Sequence, residues 1–182
     1  LTHIHASRQA ERERESLSDR LASECRAKAG ELQSEVRHLV DAARLMAAWV
    51  PVCERRGIPM ETAAAAAIAS FEGVERIGLA PGGVLATIYP QAGYEGGRGK
   101  DLFNDPERRF ASRESLRNKE SIVSGPFTAS SGKACLVAQT PVSLADDPEE
   151  KFWGFVTALA GVENLARRAG LDTLASSGLL YR

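Results

Sequence analysis

The sequence predicts an α+β protein in which a long amphipathic helix leads into a domain built on an antiparallel sheet of about five strands. The first third of the chain has helical periodicity, with no proline before Pro51. After Gly73 the hydrophobic period shortens to that of strands, and Gly- and Pro-rich turns then separate short β-rich runs.

From Ser7 to Trp49 only Gly30 interrupts good helix formers. Leu17, Leu21, Cys25, Ala29, Leu32, Val36, Leu39, Ala43, Met46 and Val50 step by three or four residues into one apolar stripe. Such a helix is roughly 65 Å long, more than a small domain's diameter. The half after Leu32 is expected to lie along its own domain. The half before it either protrudes or pairs with a second chain, although its stripe is poor in Ile and Leu. Pro51 is expected to end the helix. Met60 to Phe71, rich in Ala, reads as a second helix closed by Gly73. Val74–Leu79 and Val84–Tyr89 form a hairpin about the turn Ala80-Pro81-Gly82-Gly83. A Gly-rich loop from Pro90 to Lys100 follows, then a surface helix from Asp105 to Asn118, with Asp105 as N-cap and Pro106 at its first position. Strands are expected at Ser121–Phe127, Ala134–Val142 and Phe152–Leu159, and a last helix at Val162–Ala169, stopped by Gly170. The expected division is residues 1–50 as a stalk helix, 51–171 as the sheet domain and 172–182 as the start of a further, truncated segment.

The 182 residues suit one domain with an extension, and 43% apolar and 26% charged residues are ordinary for a globular chain. A formal net charge of −1 leaves no broad basic surface, so nucleic acid is not an expected partner. No apolar run reaches the length of about eighteen residues that a membrane span needs. The first residues, Leu1-Thr2-His3-Ile4-His5, have no apolar segment behind them of the kind a secretory leader carries. The chain begins without Met and stops within the apolar run Leu179-Leu180-Tyr181-Arg182, so it reads as a segment of a longer protein.

Cys25, Cys53 and Cys135 are far apart and lack a histidine cluster, which speaks against zinc and against a disulfide-stapled fold. If one bridge forms, Cys53 with Cys135 is the expected pair. His3, His5 and His38 all lie in the helical extension, where no ligand triad can be assembled. Gly93-Tyr94-Glu95-Gly96-Gly97-Arg98-Gly99-Lys100 superficially suggests a phosphate loop. Its spacing is one residue too long, and Asp101 stands where a magnesium-binding hydroxyl belongs. No serine sits in a nucleophile elbow, and Cys135 has no histidine outside the extension to serve as its base. Asp146-Asp147 and Glu149-Glu150 read as a solvated connection. No cofactor and no enzymatic reaction are expected of this domain.

Several short strings remain: Gly78-Leu79-Ala80-Pro81-Gly82-Gly83-Val84, Ile88-Tyr89-Pro90, Gly99-Lys100-Asp101-Leu102-Phe103 with Asp105-Pro106, Ser124-Gly125-Pro126-Phe127, Thr140-Pro141-Val142 and Phe152-Trp153-Gly154-Phe155. In this order, across about Glu72 to Leu171, they resemble the CHASE family, the sensory extracellular domain associated with cyclases and histidine kinases. A Cache-type sensor, which shares the PAS-like sheet, is the second candidate within the same class. The resemblance implies a stalk helix carrying a PAS-like domain on the periplasmic or outer side of a membrane-anchored receptor. That receptor would drive a histidine kinase or diguanylate cyclase and would be a homodimer through its stalk.

The resemblance also implies a small-molecule pocket on one face of the sheet. Asp101 matches the position of an acidic ligand anchor; the alternative is that it caps a turn by accepting from nearby amides. Tyr89 and Phe103 are candidate pocket walls, with Val123, Gly125 and Phe127 on the following strand, unless these aromatics are plain core. Thr128 offers a hydroxyl and Lys133 a cation at the rim, which favours an acidic ligand. Trp153 and Gly154 are expected to pack on the stalk near Trp49 and Met46. The competing readings are a small-molecule enzyme using Asp101 and Cys135, and a structural dimerisation stalk or protein-partner-sensing module without a small-molecule ligand.

Overall fold

The computed structural model describes residues 2–129, 131–144 and 151–172. The paired acids at 146–150 and the apolar run at 179–182 lie outside the described residues, as do the side chains of His3 and His5.

Helix α1 spans Thr2–Arg56, so Pro51 does not end it. The apolar stripe explains the difference, because it continues through Val50 and Cys53, both buried. Their burial against the domain holds the last turn in place despite the hydrogen bond that proline cannot donate. The helix stops at Gly57, at φ 63°, where the Ile58 amide donates back to the Cys53 carbonyl at 3.1 Å. The stripe also divides as expected. Leu39, Ala42, Ala43, Met46 and Val50 are buried, whereas Leu17 is 59% exposed and Cys25 is exposed.

Helix α2 covers Met60–Ser70. Strands β1 (Arg76–Pro81), β2 (Thr87–Tyr89), β3 (Ile122–Thr128), β4 (Ala134–Ser143) and β5 (Phe152–Gly161) form one antiparallel sheet in the order β2-β1-β5-β4-β3. The hairpin is present with a shorter second strand, Ile77 pairing with Tyr89. Helix α3 is Arg109–Asn118, starting three residues later than the proline suggested. Asp105 caps the turn ahead of it, Oδ1 accepting from the Glu107 amide at 2.9 Å while its carbonyl accepts from Arg109 at 2.8 Å. Helix α4 is Val162–Arg168, and Gly170 at φ 65° follows it.

Strand alternation divides the interior into two layers. Ile77 and Leu79 of β1, Val156, Ala158 and Ala160 of β5, and Ala138 and Val142 of β4 join Leu39, Met46 and Val50 of α1 in the larger core. The intervening residues face the other way. There Ala80 and Phe155 pack with Ile88 of β2 and with Leu85, Tyr94 and Leu102 from the loops that cover that face. On the same side the buried Gln139 donates to Ser112 Oγ of α3 at 2.9 Å, which ties this helix to β4. Trp153 is half-buried against the larger core that contains Met46, while Trp49 is 45% exposed beside a groove between α1 and α2. Cys25, Cys53 and Cys135 are all free thiols. Among the described residues no helix is long and apolar enough to cross a membrane.

Candidate functional site

The sheet face turned away from α1 carries a cavity of about 140 Å³. Its floor follows from the strand register. Arg76 of β1 pairs with Leu159 of β5, which pairs with Val137 of β4; beside that row, Gly78 pairs with Thr157. Arg76, Gly78, Thr157, Leu159 and Val137 all line the cavity. The roof comes from the loop between β2 and α3, through Tyr94, Gly97, Lys100 and Arg108, and from Leu85 and Ile88. Thr128 and Ala129, at the end of β3, close one side.

Glycines make the space. A Cβ on Gly78 would meet the Thr157 hydroxyl and lie 2.9 Å from Leu85 Cδ1. Any side chain there would therefore fill the cavity.

Three cationic side chains surround this volume. Arg76 donates from Nη1 to the Glu75 carbonyl at 2.7 Å and from Nη2 to the Ala92 carbonyl at 3.2 Å, and its guanidinium lies 4.6 Å from the centre of the Tyr94 ring. Arg108 stacks over Phe127 at 5.5 Å. The Nε of each arginine is buried and has no hydrogen-bond partner among the described residues. Lys100 has a counter-charge, with the Asp105 carboxylate at 4.0 Å.

The residues singled out by sequence scatter around this cavity. Thr128 lines it. Phe127 is one layer behind, under Arg108. Asp101 follows the lining residue Lys100, but its carboxylate is occupied: Oδ1 accepts from the Phe103 amide at 2.9 Å and Oδ2 from Asn104 Nδ2 at 2.6 Å. These hydrogen bonds, the Phe103 amide foremost, hold its pKa below the usual carboxylate range. Phe103 packs with Phe152 and Phe155 at ring separations of 6.0 and 5.4 Å, beside the cavity in the smaller core. Tyr89 and Val123 are on the opposite face, against the core that α1 covers. Gly125 sits in the irregularity of β3 between Ser124 and Phe127. Lys133 borders a second, more open groove with Glu75, Cys135 and Arg167. Burial holds the Cys135 thiol pKa above its ordinary value, so it is poorly suited to act as a nucleophile. Among the described residues no cluster could hold a metal ion.

Sequence reasoning passed over Arg76 and Arg108. Arg76 did leave a signal, since it is the single charge within the β-rich run Arg76–Pro81 that becomes a central strand.

No family model matches the chain, and no curated protein matches it. Solved structures do share its fold. One is the ligand-binding domain of the amino-acid chemoreceptor PctC of Pseudomonas aeruginosa in complex with GABA, at 16% identity and a TM-score of 0.61, covering 83% of this chain and 66% of that one. Another is an extracellular ligand-binding receptor from Desulfohalobium retbaense, at 13% identity and a TM-score of 0.51, covering 76% of this chain. The chain spans only 26% of that receptor's length. The shared fold is PAS-like, a long helix followed by a five-stranded antiparallel sheet with flanking helices.

Proposed function

We propose that this chain is the extracytoplasmic sensory domain of a transmembrane signalling receptor of the histidine kinase or diguanylate cyclase type, CHASE-like in organisation. It binds a small molecule in the sheet cavity and passes the signal through its helices. The observation that carries this reading is the cavity itself, which lies on the opposite side of one sheet from α1. Strand β5 serves both sides. Thr157 and Leu159 reach the cavity, while Val156, Ala158 and Ala160 pack in the core with α1. A ligand that repacks the first set therefore displaces the second, and helix shifts of about an ångström are a normal switching amplitude. In this reading α1 is the stalk of a homodimer on the periplasmic or outer side of a membrane. The exposed Leu17 and its neighbours before Leu32 would be the dimer seam. Thr128 joins Arg76 and Arg108 as the residues proposed to meet the ligand.

A thermal-shift screen against organic acids, amino acids, purines and adenine derivatives tests the reading. Ligand at a hundred times its dissociation constant adds about 2.7 kcal/mol, which raises the midpoint by several degrees. No shift with any class would overturn ligand sensing in favour of a structural dimerisation module, for which the exposed α1 stripe is the supporting observation. In cells, Trp153→Ala should separate receptor output from ligand affinity, because Trp153 packs on the core between sheet and stalk.

A further inference from the structure

We infer that the sheet cavity takes a small monocarboxylate that carries no ammonium group. This rests on the sensor reading above and names the chemistry that the site selects. Charge is the first argument. Arg76, Lys100 and Arg108 line the cavity, and no Asp or Glu is among the described lining residues. Lys100 is balanced by Asp105, but both partners of the Arg76 Nη atoms are neutral carbonyls. The nearby Glu75 carboxylate is turned elsewhere, accepting from the Gly161 amide at 3.2 Å and Asn164 Nδ2 at 3.1 Å. A half-buried cation without a counter-charge attracts an anion, and a buried N–H without an acceptor is costly. Here two guanidinium groups, each with an unpartnered Nε, border one cavity. A carboxylate supplies both the charge and the acceptors, and it matches guanidinium geometry.

Size and polarity narrow the class. A cavity of about 140 Å³ is close to the volume that admits a single benzene-sized ring. The apolar part of the lining, Leu85 and Ile88 from the roof with Val137 and Leu159 from the floor, suits a short apolar body and not an anion bearing oxygens on every side. Thr128 and Thr157 line the cavity, and their hydroxyls suit one further polar group, as on a hydroxy or keto acid. An α-amino acid would bring an ammonium into a cavity whose described lining holds no carboxylate and already includes cations. The site is thereby expected to differ in preference from the fold neighbour solved with GABA.

Calorimetric titration of the 182-residue protein with propionate, pyruvate and lactate, against propionamide, alanine, GABA and inorganic phosphate, decides the matter. One or more of the carboxylates should bind. Propionamide, of nearly the same shape but neutral, should bind at least about tenfold more weakly than propionate, the usual scale of a charge-assisted hydrogen bond. Arg108→Gln should weaken carboxylate binding by a similar factor without lowering the melting temperature of the free protein, since Arg108 is only half-buried, makes no ion pair among the described residues and leaves its buried Nε without an acceptor; a merely structural arginine would show the reverse. Thr157→Val should weaken lactate more than propionate. If alanine, GABA, propionamide or phosphate binds as tightly as the best carboxylate, or if binding survives Arg108→Gln unchanged, the carboxylate inference fails while the sensor reading stands. If none of these nor any purine binds, both fall together.

Discussion

Arg168 on α4 donates from Nε to the Glu35 carboxylate on α1 at 2.6 Å, and its Nη2 reaches Glu72 after α2 at 2.9 Å. One guanidinium thus joins α1, the loop ahead of β1 and the helix that leads out of the sheet. Arg168→Met should lower stability by about 0.5–1 kcal/mol, because the pair is partly exposed and solvent screens it. Urea denaturation at low and high salt checks this: the deficit should shrink as salt rises.

Met46 stands at the centre of the contact between α1 and the sheet, fully buried with Leu39, Val50 and Val156. Met46→Ala should cost about 2–5 kcal/mol, transfer and cavity contributions together. A loss below about 1 kcal/mol in equilibrium unfolding would mean that α1 is not integral to the domain.

Pro51 lies inside α1 and withholds one donor from its hydrogen-bond ladder. Pro51→Ala restores an amide that can reach the Ala47 carbonyl, and a net hydrogen bond of this kind contributes about 1 kcal/mol. The urea midpoint should rise. A fall would show that ring packing at this turn outweighs the missing bond.

Gly154 is wedged between β1 and β4, opposite Pro81 and Val142. A Cβ there would come within 2.8 Å of Pro81 Cα and crowd the Ala80 carbonyl. Gly154→Ala should therefore destabilise by about 1–3 kcal/mol through overpacking of backbone against backbone. Thermal unfolding monitored by circular dichroism reads it directly.

Asp101 makes the acid side of the stability curve testable. Its folded pKa is depressed, so its contribution is complete above the unfolded value of about 3.9 and is lost as pH falls through the folded value. Asp101→Asn keeps an acceptor for the Phe103 amide but has no proton to take up. Its melting temperature should fall less steeply than wild type below about pH 4.

Read from sequence alone, the class and order of elements were determined almost completely. Helical period in α1, the change of period after Gly73 and the turn chemistry of the glycines are local properties, each written within a few residues. Terminal positions were less legible. Pro51 is a helix breaker by local rule, and only the burial of Val50 and Cys53 against the domain overrides it.

The site was decided by the tertiary structure, and the reason is register. Side chains alternate across a strand, so a residue's face depends on which partner it pairs with. Pairing of Ile77 with Tyr89 puts Tyr89 in the larger core, whereas its neighbour Ile88, opposite Gly78, reaches the cavity. The sequence named the aromatic members of these runs, but it could not say which face each would take. Nor could it show that Arg76 and Arg108, thirty-two residues apart by their numbering, border one cavity with no acid among its described lining. Local chemistry specified the elements; long-range pairing chose which side chains meet.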